Sequence, residues 1–483
     1  MSRFPPAGVV ITLATFVAVV ACTPSRQNMA DDAARGMPEA LRQPVRWLGA
    51  DADKDRAVDD AVKALLAEPL TLEGAAEIAL VRNRRVQVAY ESLGLAQADL
   101  VDAGLLSNPR LSMALRFHAD EPTTQVPGLE VGVDMSFLSV LFLAQRISIA
   151  DARADAATAR VVDAVVATAA DARRAAVMAS ANADAARLMR AELEAAEGTL
   201  LLVRQNTQAG NQTPLDLAEE ELRYQQMLLS TADAERAAQA SLESLKVALG
   251  LFGNAGDVTL APLPSLPEPG PGAVVDVVAL EREALKANLT MAAQRSDLDA
   301  AARELGYASI QRFLPDLDLG VEAEYEGHLD VGPSVGIGLP IMNMGQGEIL
   351  RRESLMRRQA AMVQQHAVRV RATARQVAVA ADISRRRAHQ ITTAVLPQHL
   401  VVVDELERRL NGMLVFPSRV FQGRQNFLAA RRQEVMAIAT AWQRQIDVEQ
   451  LRQGGTPMAQ TMFDDDTSGN ADSTGVAGAE EHD

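Results

Sequence analysis

Two stretches of this chain, Gln145–Gly210 and Gly347–Gly412, are almost free of glycine and contain a single proline between them, Pro397. Each is about 65 residues, and as continuous α-helix at ~1.5 Å per residue each would reach roughly 100 Å. Rods of that length do not fit inside one compact core. In the first, Val162, Val166, Ala169, Ala172, Ala176 and Ala179 recur at three- and four-residue spacing, which predicts a narrow apolar stripe of the coiled-coil kind. Pro397 predicts a kink near the far end of the second.

Composition agrees with rods rather than with several globular domains. Aromatic residues make up 4 % of the 483 positions, too few for multiple compact cores. The net charge of −16 argues against nucleic acid as a partner, because nothing offsets phosphate repulsion. The single cysteine, Cys22, excludes both a disulfide framework and a thiolate zinc site within one chain.

Arg3 precedes an apolar run from Val9 to Val20, too short to span a bilayer as a helix but right for the core of a secretory signal. The run ends in Val19-Val20-Ala21-Cys22 and resembles a bacterial lipoprotein signal. That resemblance implies removal of residues 1–21, lipidation of Cys22 and, with no Asp after the cysteine, the outer membrane. Several acyl chains, each contributing ~0.8 kcal/mol per buried CH₂, would anchor the start of the mature chain in lipid. Residues 22–70 are expected to form an extended arm with short helices.

The rest reads as an internal duplication, residues 71–250 and 274–452, separated by a Pro- and Gly-rich linker at 251–273. Each half begins with a helical pattern, Thr71 to Leu106 and Val274 to Ile310, in which Leu80-x-x-Asn83 matches Leu285-x-x-Asn288. Each then changes to period two. Leu111, Met113, Leu115 and Phe117, then Leu129, Val131, Val133, Met135 and Phe137, alternate with polar or small residues and predict a hairpin over 109–137. Leu317 to Tyr325 and Val335 to Ile341 predict its twin over 315–341. A long rod follows each hairpin, then a turn near Gly210 or Gly412 and a return helix. In the first return helix Leu215, Leu222 and Leu229 mark a heptad stripe.

Each strand is long enough to cross a hydrocarbon layer in a tilted barrel. Four strands cannot close a barrel, and open edges cannot sit in lipid. Either the hairpins are soluble, or several chains contribute four strands each. The signal, the cysteine and the rods favour the second.

In this order and spacing, Leu72-Glu73, Ala79-Leu80 and Asn83, Asn108-Pro109 and Leu314-Pro315, Leu339-Pro340-Ile341 with Gly345, and the turns at Gly210 and Gly412 resemble the TolC-like outer-membrane efflux channel family, in its lipid-anchored branch. The resemblance covers about Thr71 to Leu451. It implies an α+β membrane protein: a homotrimer whose twelve-strand transmembrane β-barrel, four strands per chain, continues as a long periplasmic α-helical barrel. The implied function is that of a passive exit duct, fed by a periplasmic adaptor protein and an inner-membrane pump. Gly210, Asn211, Gln212, Thr213, Gly412, Met413 and Leu414 would lie at the tip that meets the adaptor. Asp216 sits where the family often has an acidic residue near its constriction. The second half has Phe416-Pro417-Ser418-Arg419-Val420-Phe421 there, without aspartate. Phe416, Ser418 and Phe421 would then form a hydrophobic constriction able to gate by dewetting, or the two phenylalanines pack between helices. The rival function is a periplasmic coiled-coil lipoprotein that spaces the envelope, with its strands as soluble hairpins.

No enzyme, cofactor or metal is expected. His118, His328, His366, His389, His399 and His482 show no pair at metal spacing, and no Lys-Ser/Thr follows Gly336-x-Gly338 or Gly345-x-Gly347. Met342-x-Met344 reads as packing rather than a copper relay. The acidic tail at 453–483 is expected to be disordered.

Overall fold

The computed structural model describes residues 26–42, 52–116, 128–251, 258–266, 275–325 and 328–457. The signal stretch, Cys22, Phe117 and the acidic runs of the tail lie outside them. The helices are α1 (Arg26–Gly36), α2 (Glu39–Arg42), α3 (Ala52–Ala67), α4 (Leu72–Arg82) and α5 (Arg84–Gly104). After β1 (Arg110–Arg116) and β2 (Gly128–Ser136) come α6 (Leu138–Leu141), α7 (Leu143–Gln208), α8 (Pro214–Leu249), α9 (Val277–Ala287) and α10 (Leu289–Gln311). The chain continues through β3 (Leu317–Tyr325), β4 (Leu329–Ile337), α11 (Gln346–Gln390), α12 (Leu396–Asn411) and α13 (Pro417–Arg452).

The long helix α7 runs 66 residues without interruption. Its apolar surface is not the narrow stripe that spacing suggests. Val161, Val162, Val165 and Val166 are all nearly inaccessible, so burial wraps much of the helix. The reason is the number of neighbours: α4, α5, α8, α10 and α13 all pack on α7. The second rod is not one helix. Pro397 offers no N–H to the carbonyl one turn back, and a π turn at Ile391–Val395 absorbs the mismatch between α11 and α12.

The helix expected over 71–106 is likewise two. Asn83 ends α4 and caps α5: its Oδ1 accepts from Arg85 N (2.9 Å) while its Nδ2 donates to Ala248 O (2.7 Å). Asn288 does the same between α9 and α10, accepting from Met291 N (2.8 Å) and donating to Thr456 Oγ1 (3.0 Å). Each capping asparagine thus satisfies helix-end groups that would otherwise lack partners.

The two hairpins are one sheet. The order is β1-β2-β3-β4, antiparallel throughout, and the join is β2 to β3, with Val133 opposite Val321. Each strand continues into its own helix, and the lateral order is the same below: α5 packs on α7, α7 on α10, and α10 on α11. Farther along, α8 packs on α7, α7 on α13, and α13 on α11 and α12. The chain is therefore a four-stave segment with two free flanks, β1/α5/α8 on one side and β4/α11/α12 on the other.

The core lies midway along the staves. Val86, Tyr90 and Leu93 of α5 meet Val161 to Ala169 of α7, and the arm contributes Met29, Ala33 and Met37. Residues expected to be an extended arm with short helices thus form short helices that add to the core. The linker does too: Leu70 N donates to Thr259 O (2.8 Å), Ala261 N to Leu70 O (3.1 Å), and Trp442 Nε1 to Pro264 O (2.8 Å). Gly454, Gly455 and Pro457, the start of the expected tail, are buried as well.

Candidate functional site: the two ends of the staves

At one end, strand registry puts every odd-numbered residue on one face. Leu111, Met113 and Leu115 face Val133, Val131 and Leu129 across β1 and β2, and the pattern continues through Val321, Ala323 and Tyr325 to Pro333, Val331 and Leu329. This apolar face is open, with Met113 67 % and Val331 63 % exposed. The opposite face carries Arg110, Arg116, Glu130, Asp134, Asp318, Glu322, Glu324 and Asp330, interleaved with glycine and serine. There Arg116 bridges two strands, 2.5 Å from Glu130 and 3.2 Å from Glu324. A sheet that shows hydrocarbon to one side and charge to the other needs two different solvents. Among the described residues, no helix is long and apolar enough to cross a membrane.

At the other end are two helical turns of unlike chemistry. After α7, Gly210 takes a left-handed conformation (φ 75°), and Asn211 N closes the helix end on Asn206 O (2.8 Å). Asn211, Gln212 and Thr213 follow, and Thr213 caps α8. Asp216 completes a capping box, accepting from Thr213 N at 2.8 Å. That backbone hydrogen bond holds the Asp216 carboxyl below the usual carboxylate range. Its carboxylate therefore serves the helix start, while the residue remains exposed.

The second turn closes the same way, Leu414 N bonding Arg409 O (2.8 Å). The left-handed position is Met413 (φ 57°), not Gly412 (φ −84°). Met413, Leu414 and Phe416 are 94 %, 76 % and 74 % exposed. Phe416 and Phe421 part company here. Phe421 is half-buried with its ring edge beside Gly198 of α7, whereas Phe416 stands in solvent and Ser418 is half-buried. Ion pairs clasp each helical hairpin just above its turn, Arg204 to Glu221 (3.0 Å) and Arg424 to Glu407 (2.7 Å).

Sequence alone does not find the exposed flanks of the staves. Leu215, Leu222 and Leu229, expected as a coiled-coil seam, are 60–71 % exposed. On the opposite flank Val368, Val379, Ile383, Leu400 and Val401 are also exposed.

No protein-family model matches this sequence, and no curated protein matches it. Solved structures do. The outer membrane channel CmeC of Campylobacter jejuni superposes with a TM-score of 0.68 at 14 % identity, covering 80 % of this chain and 87 % of that one. The outer membrane protein VceC of Vibrio cholerae gives 0.64 at 16 % identity, covering 80 % and 96 %. The open state of the Neisseria gonorrhoeae MtrE outer membrane channel gives 0.62 at 14 % identity, covering 80 % and 89 %. Across most of its length, the chain has the fold of these outer-membrane channels.

Proposed function

We propose that this chain is one protomer of a passive, trimeric efflux duct in the outer membrane. The observation that carries this is the pair of free flanks. β1 and β4 are the sheet's unpaired edges, and the helices beneath them expose Leu222 and Leu229 on one flank, Val379 and Val401 on the other. Unpaired strand edges cannot sit in hydrocarbon. Two different edges that fit each other make a head-to-tail interface, which closes into a ring. Three copies give twelve strands, with the odd-numbered face toward lipid and the charged face toward a watery lumen, as the resemblance to the TolC-like family implies.

In this assembly the staves form a helical barrel in the periplasm. Gly210 to Thr213 and Gly412 to Leu414 form the tip that meets an adaptor protein coupled to an inner-membrane pump, which supplies the energy. Phe416 is the candidate for a hydrophobic constriction, with Asp216 near the start of α8 and Ser418 and Phe421 near the start of α13 as its further members. Lipidation at Cys22 adds a second anchor. The fold shared with CmeC and MtrE supports the duct over an envelope spacer. Purified protein in a planar bilayer is expected to give discrete ion-conducting steps. A trimer that inserts yet never conducts, even with its tip opened by mutation, overturns the proposal.

A further inference from the structure

Glu192 of α7 is buried inside the wall of staves, at 3 % exposure. Its same-face neighbours on the helix, Met189 and Ala196, are buried too. Facing it, Arg432 of α13 brings its Nε to 3.5 Å from Glu192 Oε1, and neither atom makes a hydrogen bond among the described residues. The guanidinium is not enclosed with the carboxylate, since the Arg432 side chain is 40 % exposed. No other charge among the described residues compensates Glu192. Toward α8, Arg190 is engaged by Glu235 (2.6 Å), and on α7 itself Arg187 is engaged by Asp184. On α13, Arg431 is engaged by Glu434.

A carboxylate in that position is poorly served. Burial pushes the Glu192 carboxyl above the ordinary carboxylate value, and the Arg432 charge offsets this only in part. Ionised, the group is desolvated and held by one long contact. Neutral, it costs far less to enclose among apolar neighbours. The packed seam therefore binds a proton more readily than an arrangement in which Glu192 reaches water. By linkage, falling pH favours the packing of α13 on α7, and rising pH works against it.

Its position gives the group leverage. Two other ion pairs join α7 to α13, Arg173 to Glu449 and Arg174 to Asp447, both at 2.9 Å, and both lie toward the sheet. Between them and Arg432, the π turn at Ile391–Val395 reaches α13, where Ile391 joins Ala437, Ala441 and Ile438. Arg432 is five residues tipward of Ala437, ~7.5 Å along the helix. Among the described residues, Glu192–Arg432 is thus the one charge pair between α7 and α13 on the tip side of that irregular turn. Beyond it, α12 and α13 are clasped to each other by Arg424 and Glu407 (2.7 Å).

We propose that Glu192 is a proton switch for the α12/α13 hairpin: the neutral acid seats α13 against α7, and the carboxylate loosens that seam so that the hairpin swings at the π turn. The seam lies inside one chain, and Glu192 is enclosed before any second copy arrives. The consequence for transport rests on the duct reading: acid in the periplasm stiffens the tip end of the bore, and neutral conditions keep it ready to move.

Amide hydrogen exchange of the full chain in detergent tests this, read on peptides from residues 396–432 and corrected for the intrinsic effect of pH. From neutral pH down to about pH 5, exchange should slow several-fold, by at most about tenfold per pH unit for one proton. Glu192→Gln removes the charge and keeps the shape. At neutral pH it should exchange as slowly as the parent does in acid, and it should lose the pH response. Arg432→Gln strips the carboxylate of its one compensating charge, so it should exchange faster than the parent at neutral pH and be rescued by acid. A pair that merely ties two helices gives another pattern, with both variants loosened at neutral pH, and that result overturns the proposal. So does a pH response that survives Glu192→Gln, or a parent whose exchange ignores pH. Planar-bilayer recordings keep the two readings apart. Openings that become rarer in acid for the parent but not for Glu192→Gln carry the switch through to the duct. Absence of channels with the exchange pattern intact sinks the duct and leaves the switch standing.

Discussion

Gly250 packs face to face with Asn83: a Cβ on Gly250 would lie 2.7 Å from Asn83 Cα and 2.7 Å from the Arg82 carbonyl oxygen. Gly454 occupies the matching place in the second half, with φ 89°, where a Cβ would clash with the Ala287 carbonyl oxygen and lie 3.0 Å from Leu289 Cγ. In both halves a left-handed glycine ends or follows the return helix and seats its backbone beside the asparagine that joins two shorter helices. The duplication therefore preserves a joint as well as an order of elements.

Gly250→Ala and Gly454→Ala should each destabilise the chain by about 2–4 kcal/mol, from positive φ combined with a backbone clash. Denaturant unfolding followed by circular dichroism measures this. Gly306→Ala is the control, because a Cβ there meets nothing within 4 Å. Equal behaviour of all three would show that the joints carry no strain-sensitive contact.

The second joint should also be sensitive to acid. His366 Nε2 lies 3.0 Å from Asn288 Oδ1, and burial, with Arg369 nearby, pushes its pKa below the ordinary imidazole value. The folded state then binds a proton less readily than the unfolded chain. Stability from this group is complete above about pH 6.5 and falls as pH drops through the window below it, until the folded pKa is reached. His366→Gln keeps a donor but cannot titrate. The variant should flatten the pH dependence of unfolding in the window below about pH 6.5. An unchanged slope would assign the acid sensitivity elsewhere.

In the proposed ring, the polar sheet face lines the lumen with six carboxylates and two arginines per chain, and Arg116 is already engaged by Glu130 and Glu324. A narrow lumen with that imbalance favours cations. A salt gradient across the bilayer should give a reversal potential of cation-preferring sign. Asp318→Asn with Glu322→Gln should move it toward zero, and an anion-preferring wild type would contradict the lumen assignment.

Much of this was legible because it is local. The alternation Leu111-Met113-Leu115 and its counterpart Leu317-Leu319-Val321 announce strands, and the repeated Leu-x-x-Asn announces the duplication, though not the helix break at its asparagine. What was not legible depends on contacts between distant segments. The pairing of β2 with β3 joins residues 129–136 to 318–325, and no periodicity encodes a partner that far away. The turn near Gly412 is legible in place but not in detail: the left-handed residue is Met413 rather than the glycine before it. Leu222 misled more usefully. Heptad spacing marks a seam without saying which molecule fills it, and among the described residues nothing does.

The unfilled seam gives the sharpest expectation for assembly. Leu222 and Leu229 are 60 % and 71 % exposed on α8, whereas Leu245 and Leu249 on the same helix are fully buried. Leu222→Asp with Leu229→Asp costs a single chain little, because those side chains already meet water. In a ring the same carboxylates are enclosed at every interface between copies, at several kcal/mol each. The double variant should keep wild-type helicity and lose the trimer on native gels and in chemical crosslinking. Leu245→Ala should do the opposite, lowering the chain's own stability by about 2–5 kcal/mol while the folded fraction still assembles. Retention of a wild-type trimer by the double aspartate variant would mean that α8 is not a flank through which copies meet, and the order of staves around the bore would have to be redrawn.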